Sequence, residues 1–215
     1  MTRVVIADDF PVVREGIRRV LERVPGLEIV AESGDTLTLP ALVRTARADV
    51  VLLDLRMPGP AFSTIIQSIR AAAPQARILV ISALPEERFA VQVLRSGAHG
   101  YLEKSFSVEG LIEAVQRVAS GKRYISPDLA DQLADAQVSE TAAQPLTARL
   151  STREFEVLTL LAQGLGLKEA GNRLQVNPKT ISSYRARLLA KLGVASTAEL
   201  VRVAVEAGLV GAVSA

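Results

Sequence analysis

The chain has 215 residues, of which 49% are hydrophobic and 22% charged, and its formal net charge is +2. These values are typical of a globular protein, and the absence of cysteine excludes a disulfide framework and a thiolate metal site. The N-terminal stretch MTRVVIADDF reaches acidic residues too early for a secretory signal, and no apolar stretch has the roughly 18 residues that a membrane span needs, so we expect a cytoplasmic protein.

Residues 1–120 alternate between short apolar runs and segments in which apolar residues recur with helical spacing. The runs are RVVIA (3–7), EIVAE (28–32), DVVLL (49–53), RILVIS (77–82) and GYLEK (100–104). Five such alternations predict right-handed crossovers and a parallel sheet with helices on both faces. Burial of both faces also explains why the runs are continuously apolar instead of alternating with polar residues.

The character of the sequence changes after Gly121. The stretch SPDLADQLADAQ predicts one short helix, with Ser126 as its cap and Pro127 at its first position. The next stretch, VSETAAQPLTA (138–148), is small, polar and interrupted by proline, which is typical of a linker.

From Leu150 onward the pattern is helical. Asn177 followed by Pro178 predicts an N-cap and a first helical position at which the missing N–H of proline costs nothing. The predicted helices cover residues 152–163, 167–174, 178–192 and 197–206.

Charged and hydroxyl side chains stand where the predicted strands end. Asp8 and Asp9 follow the first strand, Asp54 follows the third, Ser82 ends the fourth and Lys104 follows the fifth. Each has an ordinary explanation when taken singly, as a helix cap, a turn hydroxyl or a surface lysine. Ligands of parallel α/β sheets collect at the carboxyl ends of the strands, however, and three clustered carboxylates cannot all ionise at neutral pH without a cation. An all-oxygen site suits Mg²⁺, and a carboxylate beside a metal and a lysine is suited to nucleophilic phosphoryl transfer, with Asp54 as the nucleophile.

The stretches IADDFPVVREG, DVVLLDLRMPG and GAHGYLEK, together with Ser82, resemble the receiver domain of two-component response regulators over about residues 3–122. The resemblance implies a flavodoxin-like sheet of order 2-1-3-4-5 and an Asp54 that accepts phosphate from a sensor histidine kinase. It further implies Mg²⁺ held by Asp8, Asp9, Asp54 and the backbone carbonyl of Arg56, and phosphoryl-binding or switch roles for Ser82, Lys104 and Tyr101.

Three positions depart from the usual receiver pattern. Phe10 replaces a polar residue, PAF (60–62) replaces the common MDG, and Ser105 replaces a proline. The only histidine, His99, precedes the fifth strand, and we expect it to be a strand-end residue without a part in this chemistry.

Charge is unevenly distributed along the chain. Residues 1–120 carry 14 basic and 14 acidic residues, whereas residues 151–215 carry 8 and 5, a net charge of +3. Between Glu169 and Glu199 there are five basic residues and no acidic one, which favours a polyanionic partner, although a solvated helix face explains charge alone equally well.

LKEAGNRL, the turn QVN and PKTISSYRARLLAKL predict two helices around a tight turn, the second rich in arginine and lysine. With LSTREFEVL before them and AELVRVAVEAGLV after them, they resemble the LuxR-type helix-turn-helix over about residues 148–210. Gly171 stands where that family usually has alanine, and glycine inside a helix costs about 0.5–1 kcal/mol relative to alanine. The implied DNA-contacting residues are Lys168, Lys179, Thr180, Ser182, Ser183, Arg185 and Arg187, and the implied dimerisation residues are Leu200, Val201 and Val205.

We therefore predict a receiver domain at 1–122, a helix and linker at 123–147 and a LuxR-type domain at 148–215, the architecture of the NarL/FixJ class of DNA-binding transcription regulators. Such a protein is not an enzyme; its partners are double-stranded DNA, a sensor histidine kinase and a second copy of itself. Two alternatives stay open. One is a DNA-binding regulator that uses a phosphate-independent receiver as a dimer scaffold, and the other is an aspartate-nucleophile phosphatase. The latter typically needs a second acid two residues after the nucleophile, where this chain has Arg56.

Overall fold

The computed structural model describes residues 1–138 and 149–210. The chain divides into two compact units, Met1–Ala142 and Ala143–Ala215. The predicted linker at 138–148 lies, apart from its first residue, outside the described residues. Across the described residues, no helix combines the length and the apolar character that crossing a bilayer requires.

The first unit is built on a five-stranded parallel sheet, and its order β2-β1-β3-β4-β5 confirms the prediction. The strands are β1 (Thr2–Ala7), β2 (Leu27–Ser33), β3 (Val50–Leu53), β4 (Arg77–Ser82) and β5 (Gly100–Glu103). β3 lies in the middle, paired with β1 on one side and β4 on the other, and all four of its residues are buried. The unbroken apolar run that ends at Leu53 is therefore the result of burial on both faces of the sheet.

Helices cover both faces of this sheet. They are α1 (Pro11–Leu21), α2 (Leu39–Thr45), α3 (Phe62–Ala72), α4 (Glu86–Arg95) and α5 (Val108–Ala119). On one face, Ile17 and Leu21 of α1 and Val115 of α5 join a buried cluster with Val4 and Leu52 of the sheet. Burying one such side chain contributes about 1.5–3 kcal/mol relative to leaving it in water. The apolar side of each helix therefore packs against the sheet, which places the helices in layers on its faces.

The chain returns to the sheet after α5. Tyr124 lies beside β5, because its carbonyl accepts the Tyr101 N–H at 2.9 Å and its N–H donates to the His99 carbonyl at 3.1 Å. Helix α6 (Pro127–Val138) follows, and the Ser126 Oγ accepts the Leu129 N–H at 3.2 Å, which confirms the predicted cap. Tyr124, three residues before α6, thus extends the edge of the sheet beside β5.

The second unit is helical in its described part. Its helices are α7 (Thr152–Ala162), α8 (Leu167–Leu174), α9 (Pro178–Leu192) and α10 (Thr197–Glu206), within one residue of the predicted bounds. Ser151 and Glu154 form a capping box at the start of α7, and the Asn177 side chain accepts the Lys179 N–H at 2.9 Å at the start of α9. The local cap signals in the sequence were therefore sufficient to locate where these helices begin.

Candidate functional site

The three predicted acidic residues meet at the carboxyl edge of the sheet. Asp8 and Asp9 follow β1 and Asp54 follows β3, and one carboxylate oxygen from each lies within 4.8 Å of the others. Asp8 and Asp54 are each only 2% exposed. Three carboxylates so close together repel one another, and burial adds the cost of desolvating each charge.

Lys104 partly balances this charge. Its Nζ donates to Asp8 Oδ2 at 2.7 Å and lies 3.2 Å from Asp54 Oδ2. Burial opposes ionisation of the ammonium, but the hydrogen bond to Asp8 and the charges of Asp54 and Asp8 outweigh it and raise the pKa of Lys104. The lysine is therefore protonated at neutral pH and leaves two net negative charges in the cluster.

Burial opposes the ionisation of Asp54. Burial raises its pKa, and the repulsion from Asp8 adds to this effect, while Lys104 and the Arg56 N–H act in the opposite direction. Both Asp54 oxygens and Asp9 Oδ1 are buried without a well-formed hydrogen bond to any described residue. Carboxylate oxygens that are buried, charged and unsatisfied fit a hard divalent cation such as Mg²⁺.

The predicted switch residues lie next to this cluster. Ser82 is fully buried at the end of β4, and its Oγ accepts the Leu84 N–H at 3.2 Å. Tyr101 is also fully buried, and its hydroxyl donates to the Leu84 carbonyl at 2.7 Å. Burial raises the pKa of Tyr101, so the phenol is neutral and acts as a donor. The tyrosine thus occupies an inward position in this structure, joined to Ser82 through Leu84.

A second set of hydrogen bonds, around β5, was not predicted from the sequence. Glu86, at the start of α4, is 8% exposed, and its Oε1 accepts the Ser126 N–H at 2.8 Å. The Glu86 N–H donates to Glu103 Oε2 at 3.0 Å, and Tyr124 bonds to the backbone of β5 as described above. No local signal in the sequence pairs Glu86 with Ser126, which lies 40 residues later.

Four of the nine basic residues of the second unit lie on one helix, α9. Ile181 and Leu188 are buried on its inner side, whereas Lys179, Ser183 and Arg187 are exposed. The Arg187 guanidinium lies 5.4 Å from the centroid of the Tyr184 ring, a cation–π contact that holds its side chain on the surface. The other predicted contacts fall into two groups: Thr180 and Lys168 are exposed, while Ser182 and Arg185 are half-buried.

Two contacts fix α9 within its unit. Lys191 near its C-terminal end donates to Glu154 Oε2 of α7 at 2.8 Å, and the Glu154 side chain is 11% exposed. At the other end, Gly171 of α8 lies so close to the turn that a Cβ on it would be 2.8 Å from the Val176 carbonyl oxygen. The glycine that weakens α8 as an isolated helix therefore permits the tight approach between α8 and α9.

The predicted dimerisation residues differ in exposure. Leu200 is fully buried in its own unit, so it is a core residue in this structure and its side chain is not available to a partner. Val201 and Val205 of α10 are half-exposed, and for these two the dimerisation role stays a prediction.

Comparisons with known proteins cover both units. A model of the response regulator receiver domain matches residues 4–116, and a model of the bacterial regulatory proteins of the luxR family matches residues 148–204. The response regulator UvrY of Escherichia coli is 33% identical over 212 residues, 99% of this chain and 97% of that protein. The response regulator GacA of Pseudomonas aeruginosa is 32% identical over 214 residues, the whole length of both chains. Among solved structures, RcsB from Salmonella enterica bound to promoter P1flhDC with phosphomimetic BeF3⁻ has a TM-score of 0.74 and 29% identity, covering 94% of this chain and 96% of that one.

Proposed function

Because this chain belongs to the NarL/FixJ-class response regulators, which join a receiver domain to a LuxR-type DNA-binding domain, we propose that phosphorylation of Asp54 controls how it binds DNA. The observation that supports this best is the acidic cluster itself. Three carboxylates lie together beside one lysine, and both Asp54 oxygens and Asp9 Oδ1 are buried without a well-formed hydrogen bond to any described residue. The phosphoryl donor is a sensor histidine kinase, and the site of action is cytoplasmic.

Each residue of the site has a separate role in the proposed phosphoryl transfer. Asp8, Asp9, Asp54 and the Arg56 carbonyl would hold Mg²⁺, which would supply positive charge beside the oxygens of the transferring group. An Asp54 oxygen forms the new O–P bond while the bond from phosphorus to the donor's leaving group breaks, and the leaving group keeps the electron pair. The Lys104 ammonium, already 3.2 Å from Asp54 Oδ2, pairs with a phosphoryl oxygen, and the Ser82 hydroxyl donates to another.

The bonds around β5 provide a route by which this event reaches the rest of the chain. A phosphoryl group on Asp54 competes for the Ser82 hydroxyl, which is joined through Leu84 to Tyr101. The Tyr101 N–H in turn bonds to Tyr124, just before α6. We therefore expect hydrogen exchange in residues 124–131 to change on phosphorylation in the wild type and to change less in Glu86→Gln, because Glu86 holds the start of this segment.

Mass spectrometry tests the phosphoryl acceptor directly. Incubation with acetyl phosphate and Mg²⁺ should add one phosphoryl group to the wild type and none to Asp54→Asn. Asp131→Asn, an exposed change on α6, is the matched control and should be modified like the wild type. An unmodified wild type, or equal modification of Asp54→Asn, would remove Asp54 from this role. Steady release of phosphate from a phosphomonoester would instead support the phosphatase alternative.

DNA binding is assigned to the exposed side of α9. Lys and Arg side chains there neutralise phosphates, and the short polar Ser182 and Ser183 reach base edges in the major groove. In a fluorescence anisotropy titration, Lys179→Ala should lower the slope of log affinity against log salt by about one. Arg202→Ala, which changes an exposed arginine on α10, should leave the slope unchanged. Equal slopes for wild type and Lys179→Ala would contradict the placement of α9 against DNA.

Phosphorylation acts on binding through a homodimer, with Val201 and Val205 of α10 at the contact between copies. The assay that separates this from a phosphate-independent scaffold compares wild type and Asp54→Ala on the same duplex, with and without acetyl phosphate. We expect the donor to tighten binding of the wild type alone. Equal binding by both proteins under all conditions would favour the phosphate-independent alternative.

A further inference from the structure

His99 occupies a fixed position at the amino end of β5, the end of the sheet opposite Asp54. Its Nδ1 accepts the Ile78 N–H at 3.1 Å, and its own backbone bonds to Ile78 and Tyr124. Because Nδ1 accepts this bond, the proton of the neutral ring is on Nε2. The side chain is half-buried, and it is the only histidine in the chain.

Three arginines from separate elements surround this histidine. Arg70 lies in the last turn of α3 and its guanidinium contacts Gly97, two residues before His99. Arg77 is the first residue of β4, and its Nη2 lies 3.1 Å from the position that a Cβ on Gly121 would occupy. The third, Arg123, directly precedes Tyr124, whose N–H bonds to the His99 carbonyl at 3.1 Å, and the Arg123 carbonyl accepts the Arg117 Nε–H at 3.2 Å. All three arginines therefore lie at the same end of the sheet as His99.

Among the residues that the structure describes, none of these three arginines forms an ion pair. Burial lowers the pKa of His99, and the charges of Arg77, Arg70 and Arg123 lower it further. Within the described residues, no carboxylate lies within 4.0 Å of the guanidinium of any of the three. A basic residue at the end of a helix stabilises the helix dipole, which accounts for Arg70. It does not account for Arg77, which is in a strand, or for Arg123, which follows the turn after α5.

We propose that Arg70, Arg77 and Arg123 form a binding site for a phosphate-type oxyanion beside His99. Guanidinium groups present paired N–H donors that match phosphate oxygens. With no carboxylate of residues 1–138 or 149–210 within 4.0 Å, these donors are open to a ligand. The phosphate is either that of a free oligophosphate or that of a DNA backbone. The site lies at the opposite end of the sheet from the acidic cluster, so it does not depend on phosphorylation of Asp54.

His99 makes the site measurable, because a single histidine gives one pair of ring signals in the NMR spectrum of the full chain. Pyrophosphate is titrated in EDTA, with chloride controls of equal ionic strength. We expect saturable shifts of the His99 ring signals and a rise in its pKa, since a bound anion stabilises the imidazolium. Arg123→Gln, at an exposed position, and Arg77→Gln should each weaken the pyrophosphate affinity about tenfold or more. Arg44→Gln changes an exposed arginine in the last turn of α2 and should leave the affinity unchanged.

A second titration with a DNA duplex at low salt distinguishes the two phosphate sources. If the duplex shifts the His99 signals in the wild type and in Arg44→Gln but not in Arg123→Gln, the ligand is backbone phosphate. If only pyrophosphate does so, the ligand is a free oligophosphate. Linear, unsaturable shifts that are equal in all variants, or no shift with either ligand, would overturn the proposal.

Discussion

We expect the free energy of unfolding of the first unit to rise with Mg²⁺ concentration, and we expect substitution of a single carboxylate of the acidic cluster to change this dependence. Asp54 lies within 4.8 Å of two other carboxylates and 3.2 Å from the Lys104 ammonium. At an effective dielectric constant of about 20, each repulsion is at least about 3.5 kcal/mol and the attraction is about 5 kcal/mol, which leaves a net repulsion of at least about 2 kcal/mol on Asp54. A divalent cation removes this repulsion because its charge matches the two net negative charges of the cluster.

Two opposite results follow for Asp54→Asn. The pKa of Asp54 is raised in the folded state, so its contribution favours folding at low pH and is lost as pH rises through the folded value. At neutral pH without metal, removal of this charge should therefore stabilise the first unit, by at least about 2 kcal/mol from the repulsion above. With metal, the wild type should gain about 1.4 kcal/mol for each tenfold rise in free Mg²⁺ above its dissociation constant, and Asp54→Asn should gain little.

Urea unfolding in EDTA and in a Mg²⁺ series measures both effects. Pulsed hydrogen exchange, read on peptides from residues 1–138, separates the first unit from the second. Asp9→Asn should need higher Mg²⁺ for the same gain, and Glu113→Gln, an exposed change on α5, should behave like the wild type. A destabilised Asp54→Asn in EDTA would contradict the repulsion assigned to Asp54, and a Mg²⁺ dependence equal to that of the wild type would contradict its role in binding the metal.

Three further predictions concern the second unit. Burial opposes ionisation of Glu154, but Lys191 and the Ser151 backbone and hydroxyl outweigh it and lower the pKa of Glu154. The stability that this carboxylate contributes is therefore present above its unfolded-state pKa and is lost as pH falls through its folded-state pKa. Glu154→Gln should cost about 1 kcal/mol of unfolding free energy at pH 7 in urea, and its stability should depend less on pH below pH 4.5 than that of the wild type. Gly171→Val should destabilise the unit by about 1–3 kcal/mol, because the new side chain meets the Val176 carbonyl, and a Tm equal to the wild type would contradict the close approach. Asn177→Ala removes the cap of α9 and should cost about 1 kcal/mol, whereas Asn177→Asp should restore most of it.

The sheet and the helix bounds could be predicted because their signals are local. The central strand β3 is a continuous apolar run, and helices such as α9 begin at a cap residue followed by proline. The residues of the acidic cluster could be predicted for a different reason. The carboxyl ends of parallel strands meet at one edge of the sheet, so residues that end β1, β3 and β5 must lie together once the topology is known.

The remaining contacts depend on residues that are distant in sequence and carry no local signal. Glu86 bonds to Ser126 across 40 residues, and Lys191 bonds to Glu154 across 37. Leu200 fits an exposed apolar face as well as a core, and only packing against α7 decided that it is buried. The role of Gly171 could not be predicted either. Helix propensity gives the destabilising effect of a glycine in α8, but only the three-dimensional structure shows that the following turn lies too close for a Cβ at this position.

The direction of the strands also explains why the first unit has chemically opposite ends. In a parallel βα fold the helices begin where the strands end, so the acidic cluster lies among helix N-termini and the helix C-termini lie at the other edge. Every helix from α1 to α5 has an arginine in its last turn, which suits that edge electrostatically. Arg77 and Arg123 add charge there beyond what the helices require, just as Asp9 and Asp54 concentrate negative charge at the first edge beyond what Lys104 neutralises. The topology therefore places the candidate cation site and the candidate anion site at opposite ends of the sheet. The Mg²⁺ series probes the first site and the pyrophosphate titration in EDTA probes the second, and neither ligand is expected to occupy the other site.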